Sequence, residues 1–331
     1  MENSVHSPVL ITGLPRSGTT WLVHSLNRHP KILAFGETHL FSRKWSAPGP
    51  DGTYSPDQLE LLWSNLLKSH FSASVPLKKD LGKSGPGWFT QTCRDDIPEV
   101  LRDARSRVGP RPGPSEILDA IGQAFCAREG KSVWAEKTAE EGKFINATIK
   151  LAPNARFLLL MRNPVDFLLS YKYQGLQLEA PVRQFFRRRY HPLLAGLVWR
   201  KTYKSIQKIK STHPDQVSVH ILSSNARRRQ ALESACGFLG LEPCDAIFEG
   251  IDDRVNSSLK PGAERILDRF DVAWTRLLCS VDDPELKIPD EVSQTNLFDL
   301  FKSIPSTISW MFRFVFRYRH LGNYLRNLKS E

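Results

Sequence analysis

The stretch Val9-Leu-Ile-Thr-Gly-Leu-Pro-Arg-Ser-Gly-Thr-Thr-Trp21 constrains this chain more than any other. Val9 to Ile11 is a short apolar run that reads as a buried strand. It breaks at Gly13, passes Pro15 and Gly18, and enters an apolar-periodic segment (Leu22, Val23, Leu26) that reads as a helix. Strand, glycine loop and helix N-terminus together form a nest of backbone N–H groups at a positive helix end, an arrangement suited to phosphate. The spacing Gly13-x4-Gly18-x-Thr20 is that of a phosphate loop with one change. Thr19 stands where a nucleoside-triphosphate site places its lysine, and the cation lies inside the loop as Arg16.

The rest of the chain alternates strand and helix patterns. The first helix is expected to end near Asn27, ahead of Pro30, because the residue before proline disfavours helix. Strands follow at 32–35, 132–135, 157–161 and 217–222, and helices at about 55–67, 114–130, 141–152, 164–170, 183–210 and 226–240. Such alternation predicts a parallel sheet covered by helices on both faces. Residues 72–114 read as irregular, an insertion at a substrate site or a flap. Residues 251–265 read as a polar loop. The tail 298–325 mixes aromatics with arginines and reads either as an element packed on the domain or as a segment at an anionic membrane surface. The whole, 1–331, is expected to be one domain, with 251–331 a helical, basic-aromatic extension.

Charge narrows the ligand class. The 331 residues carry 46 Lys+Arg against 35 Asp+Glu, a formal net charge of +11, which favours an anionic ligand, acceptor or surface. No nucleic-acid reading module is visible, so nucleic acid is not an expected partner. Five cysteines (Cys93, Cys126, Cys236, Cys244, Cys279) form no CxxC pair and read as free thiols in a reducing compartment. No apolar stretch is long enough for a membrane span and no signal peptide is apparent, so the expected location is cytoplasmic, with peripheral membrane contact through 298–325 as the exception.

In open parallel sheets ligands gather at the carboxyl ends of the strands. Four such ends carry polar groups here: the 13–20 loop, Glu37, Glu136-Lys137-Thr138, and Arg162 with Ser170 one or two turns into the next helix. One helix end contributes only ~0.3–1 kcal/mol to anion binding, up to ~2 when partly buried. Forked arginine contacts are therefore needed as well. Arg16 supplies one and Arg162 the other, which implies a ligand with two phosphate clusters.

These residues resemble a known family. Gly13-Leu-Pro-Arg-Ser-Gly-Thr-Thr20 is similar to the 5′-phosphosulfate loop of sulfotransferases that use 3′-phosphoadenosine 5′-phosphosulfate (PAPS). Arg162 and Ser170, with seven residues between them, resemble that family's 3′-phosphate motif. His29-Pro30, Glu136-Lys137-Thr138 and Phe238-Leu239-Gly240-Leu241 fit the same pattern, and the resemblance spans about residues 8–242. It implies a P-loop-kinase-like, three-layer α/β domain with a central parallel sheet of about five strands. It also implies sulfuryl transfer from PAPS to an acceptor hydroxyl, with no metal required.

Carried over residue by residue, the cofactor contacts are Pro15, Arg16, Ser17, Gly18, Thr19, Thr20, Trp21, Arg162 and Ser170. Arg16 and Lys137 would neutralise the transferring group. Glu37, in Gly36-Glu37-Thr38-His39, resembles the glutamate base of tyrosylprotein and some bacterial members, and His39 is the rival base. The acceptor carries a hydroxyl, and Arg187–Arg189 would suit an anionic one equally with a plain solvated face. The competing classes are a divergent P-loop kinase or NTPase, and a non-catalytic basic protein that binds a polyanion or membrane. The acceptor's identity and the oligomeric state are not encoded in any motif.

Overall fold

In a computed structural model, the residues described are 8–41, 47–72, 96–138, 145–174, 184, 187, 190–252, 266–288 and 297–317. The strands are β1 (Val9–Gly13), β2 (Ile32–Phe35), β3 (Val133–Lys137), β4 (Arg156–Met161) and β5 (Val217–Ile221). The helices are α1 (Thr19–Leu26), α2 (Pro56–Ser72), α3 (Ile97–Ser106), α4 (Pro114–Glu129), α5 (Ile145–Leu151), α6 (Pro164–Lys172), α7 (Pro192–Thr212), α8 (Asn225–Phe238), α9 (Asp245–Phe248), α10 (Arg269–Cys279) and α11 (Leu297–Arg317). Contacts divide the chain into two compact units, Met1–Arg162 with Lys201–Ser257, and Asn163–Arg200 with Ser258–Glu331.

The first unit is built on a five-stranded sheet in the order β2-β3-β1-β4-β5, every pair parallel. Its central strands are apolar on both faces, as a sheet covered by helices on both sides requires. All five residues of β1 and five of the six in β4 are buried. Successive side chains point to opposite faces. Val9, Ile11, Leu158 and Leu160 meet Trp21, Leu22 and Leu26 of α1 and Leu232, Ala235 and Cys236 of α8. On the other side Phe35 lies 5.8 Å from both the Phe125 and Trp134 rings.

Register aligns the strand ends that carry the polar groups. Gly13 is opposite Leu160, Lys137 opposite Ile11, and Phe35 opposite Glu136. The backbones approach so closely there that side chains are excluded. A Cβ on Gly13 would stand 2.3 Å from the Leu160 carbonyl oxygen, and one on Gly36 would stand 2.0 Å from that of Lys137. Both glycines also take positive φ, which costs other residues strain.

All five expected strands are present, and β3 runs two residues further than its sequence pattern indicated, taking in Glu136 and Lys137. The expected irregular stretch 72–114 is corrected over 97–106, which is helical. Ile97, Val100, Leu101 and Ala104 form a buried stripe at helical spacing, with a proline near the start, a pattern masked in sequence by the charges between them. Residues 73–95 of that stretch lie outside the described residues. So do 139–144, 188–189 of the arginine cluster, 253–265 of the polar loop, and 318–325 of the tail.

Within the second unit, α6 is capped by Asn163, whose side chain accepts from the Val165 N–H, with Pro164 at the first turn. Lys172 near its end pairs with Asp268 and with Asp271, which is 2% exposed on α10, and the Tyr190 hydroxyl donates to Asp271 at 2.7 Å. Burial pushes the Asp271 carboxyl above its ordinary range, and these two donors oppose that shift. Over residues 301–312 of α11 the buried residues are Ser303 and Thr307, whereas Phe301, Ile304, Ile308, Met311 and Phe312 are exposed. The expectation that aromatics of this tail pack inward therefore holds for Trp310, which lies against the His191 ring, and not for the two exposed phenylalanines. Among the described residues no helix is long and apolar enough to cross a membrane, and Cys126, Cys236, Cys244 and Cys279 are free thiols.

Candidate active site

The loop after β1 folds as its glycines and its arginine dictate. Leu14 extends the ladder by donating to the Leu160 carbonyl at 2.8 Å, and the chain then turns through Arg16 at φ 68° and Gly18 at φ 103° into α1. Gly18 occupies the N-cap position of α1 with no side-chain cap. The helix end is thus left to its own N–H groups. Ser17 and Thr19 are buried, and Pro15, Arg16 and Thr20 are half-buried. The Ser17 hydroxyl and the Trp21 indole N–H are buried with no hydrogen-bond partner among the described residues. Such orphaned donors are uncommon in native interiors.

Arg162 of the second motif reaches the first through a hydrogen bond. Arg162, half-buried just past β4, donates from Nη1 to the Arg16 carbonyl oxygen at 3.0 Å, across 146 residues of sequence. Arginine donors are thus fixed against the very loop whose cation is Arg16. Ser170 belongs to the second unit, where it is buried on α6.

The remaining site residues meet across β2 and β3. Alternation along β3 sends Glu136 and Lys137 to opposite faces. Lys137, 3% exposed, pairs with Glu37 Oε1, and His39 Nε2 lies 3.7 Å from Glu37 Oε2. Thr12 Oγ1 donates to the Thr138 carbonyl at 2.8 Å, tying the end of β3 to the end of β1. The structure therefore joins Lys137, Glu37 and His39 in one cluster, with the glutamate between two cationic or potentially cationic partners.

One residue of the Glu136-Lys137-Thr138 motif has a place that the motif alone does not give it. Glu136 is 1% exposed, and its Oε1 accepts from the Thr38 N–H at 3.0 Å, the Thr38 hydroxyl at 3.0 Å and the Thr138 hydroxyl. Its Oε2 is buried with no partner among the described residues. Burial pushes this carboxyl up from 4.5 to about 7, with the Glu37 charge adding to the rise and the three donors opposing it. An acidic residue at the end of a strand normally reads as solvent-facing. The only sequence signal for its burial is the pair of threonines, Thr38 and Thr138, that flank it in space.

The arrangement offers donors for an anion in the 13–20 loop, a lysine and a carboxylate in contact, and no group of three or more metal-ligating side chains among the described residues. A family model described as "Sulfotransferase family" matches residues 8–243. Among solved structures, the sulfotransferase domain of the curacin biosynthetic pathway is 18% identical, covering 73% of this chain and 76% of that one at a TM-score of 0.45. The sulfotransferase domain of a Synechococcus olefin synthase is also 18% identical, covering 88% and 94% at 0.41. A sulfotransferase from Alicyclobacillus acidocaldarius is 20% identical, covering 87% and 99% at 0.40. No curated protein matches the chain at a significant level.

The raised Glu136 carboxyl has a consequence for stability. Between about pH 4.5 and 7 the folded chain holds a proton there that the unfolded chain releases, so its contribution is greatest below 4.5 and is lost as pH rises through about 7. Glu136→Gln removes this loss. Urea denaturation at several pH values from about 5 to 8 is expected to show the variant gaining on the unaltered protein up to about pH 7 and levelling off above it. A variant that falls behind instead would exclude the raised carboxyl.

Proposed function

The chain belongs to the sulfotransferase family, and from that premise we propose that it transfers a sulfuryl group from PAPS to the hydroxyl of an acceptor. The observation that carries the donor is the bond from Arg162 to the Arg16 carbonyl, which brings two anion-binding motifs together. The residues present fit such a ligand. The buried Ser17 hydroxyl and the Trp21 indole N–H await acceptors, and Gly18 takes the loop at φ 103°, a conformation a side chain would strain.

When bound, PAPS supplies an activated sulfuryl group on a phosphate leaving group. Arg16, with the hydroxyls of Ser17, Thr19 and Thr20 and the backbone from Pro15 to Gly18, holds the 5′-phosphosulfate, and Trp21 borders the nucleoside. Arg162 binds the 3′-phosphate, and Ser170 is assigned to it by the motif. Glu37 takes the proton of the acceptor hydroxyl as its oxygen bonds to sulfur. Lys137 would hold the leaving phosphate of PAPS and supply a proton donor where negative charge develops on it. His39, beside Glu37, orients the carboxylate. Because Lys137 and Glu37 are paired, moving the lysine onto the donor releases the carboxylate to act as base.

A kinase or NTPase reading lacks its loop lysine, and nothing observed favours it. An anionic membrane surface is the partner we assign to the exposed apolar residues of α11, Phe301, Ile304, Ile308 and Met311.

Three outcomes test this assignment. Arg162→Ala should weaken binding of 3′-phosphoadenosine 5′-phosphate by roughly 10–100-fold, the range of a charged hydrogen bond, and of adenosine 5′-phosphate far less, by calorimetry. Equal losses would remove the 3′-phosphate role. Glu37→Gln should lower turnover by ~10²–10⁴ while nucleotide affinity stays within a factor of about three. Vesicles containing phosphatidylserine should sediment the full chain and not a chain ending at residue 297, and equal sedimentation would remove the lipid role.

A further inference from the structure

Glu136 carries an expense that neither the fold nor the reaction explains. It is sealed inside the sheet, one oxygen is left without a partner among the described residues, and its ordinary ionisation is suppressed. A leucine or valine there would continue the apolar pattern of the strand at no such cost. What the carboxyl does instead is bind Thr38 twice, through the backbone N–H and through the hydroxyl, both at 3.0 Å. It holds Thr138 by the same oxygen.

The place of Thr38 gives that contact its meaning. β2 ends at Phe35, so the chain beyond it leaves the ladder. Gly36 then crosses against the backbone of Lys137, and Glu37, Thr38 and His39 follow. Glu37 pairs with Lys137 and lies 3.7 Å from His39 Nε2, and Thr38, between them in sequence, turns instead to Glu136. The His39 N–H reaches Thr138 Oγ1 at 3.4 Å, so Thr138, which also donates to Glu136, holds the residue after Thr38. The described groups around the carboxyl are Thr38 from the segment after β2, Thr138 from the end of β3, and the Glu37 charge.

We propose that Glu136 is a positioning residue: it clamps Thr38 from beneath and thereby fixes Glu37 and His39 against Lys137, without touching substrate. Its consequence for turnover rests on the sulfuryl-transfer reading of Glu37 and Lys137. The clamp itself does not. A glutamine keeps an acceptor oxygen at the same reach, and an alanine removes it.

The test combines hydrogen exchange with turnover on the full chain. In Glu136→Ala, backbone amides of residues 36–40 should exchange about 10-fold faster or more, with residues 9–21 unchanged. Affinity for 3′-phosphoadenosine 5′-phosphate should stay within a factor of about three. PAPS consumption with 4-nitrophenol as probe acceptor should fall about 10-fold or more. Glu136→Gln should return exchange and turnover to within about threefold of the unaltered chain. Should the alanine variant not fold, Thr38→Val removes one of the donors and should cut turnover about three- to 10-fold with nucleotide affinity kept. Unchanged exchange at 36–40, equally fast exchange through 9–21, or a glutamine no better than alanine each overturns the clamp. If the unaltered chain consumes no PAPS, it is the sulfuryl-transfer reading that fails, and the exchange comparison alone decides the clamp.

Discussion

The hydrogen bond from Arg162 to the carbonyl of Arg16 is where the fold becomes a site. It exists because β1 and β4 are neighbours in a parallel sheet with flush carboxyl ends, Gly13 against Leu160. A shift of register by one residue would turn every side chain of a strand to the other face. It would also carry Arg162 past the loop. The glycine at that crossing permits an approach that any side chain would block, so sheet register, loop shape and arginine placement are one constraint expressed three times.

A second pair of flush ends does the same for Glu37, Lys137 and His39. β2 and β3 stop within two residues of each other, and the turn after β2 lies across the end of β3. Strand alternation then separates two carboxyls by function. Glu37 meets Lys137 and His39, while Glu136 lies behind Thr38, sealed from solvent and held near neutrality. Two neighbouring carboxyls thus have different environments, Glu37 about a third exposed and paired with Lys137, Glu136 buried and bonded to the Thr38 backbone.

The features legible in sequence were those written in local patterns. The unbroken apolar runs of β1 and β4, the Gly13–Gly18 spacing and the Pro164 helix start needed only neighbouring residues to be read. α3 escaped because its four buried residues are separated by charges and sit between glycine- and proline-rich segments, so its stripe emerged only once α4 was there to pack against it. Glu136 is legible as part of the Glu136-Lys137-Thr138 strand end, but its burial is not, because its partners are set by the fold. Its donors come from a segment about 100 residues away and from a threonine two residues on. The contact of Arg162 with Arg16 was foreseen as convergence at one sheet edge, but its form, a side chain held by a loop carbonyl, depends on register that no single segment encodes. On α11 the mix of aromatics and arginines was visible, but not that, over 301–312, Ser303 and Thr307 are the buried residues.

The central claim is that the two arginine motifs form one donor site serving the Glu37–Lys137 pair. The most direct measurement is transfer of sulfur-35 from labelled PAPS, with the full chain incubated in a cell extract as the source of acceptors and products resolved by mass. Label should appear on a product heavier by about 80 daltons, the mass of one sulfuryl group, together with stoichiometric 3′-phosphoadenosine 5′-phosphate. Label recovered only in unreacted PAPS, with no affinity of the chain for the bisphosphate product, would contradict the account.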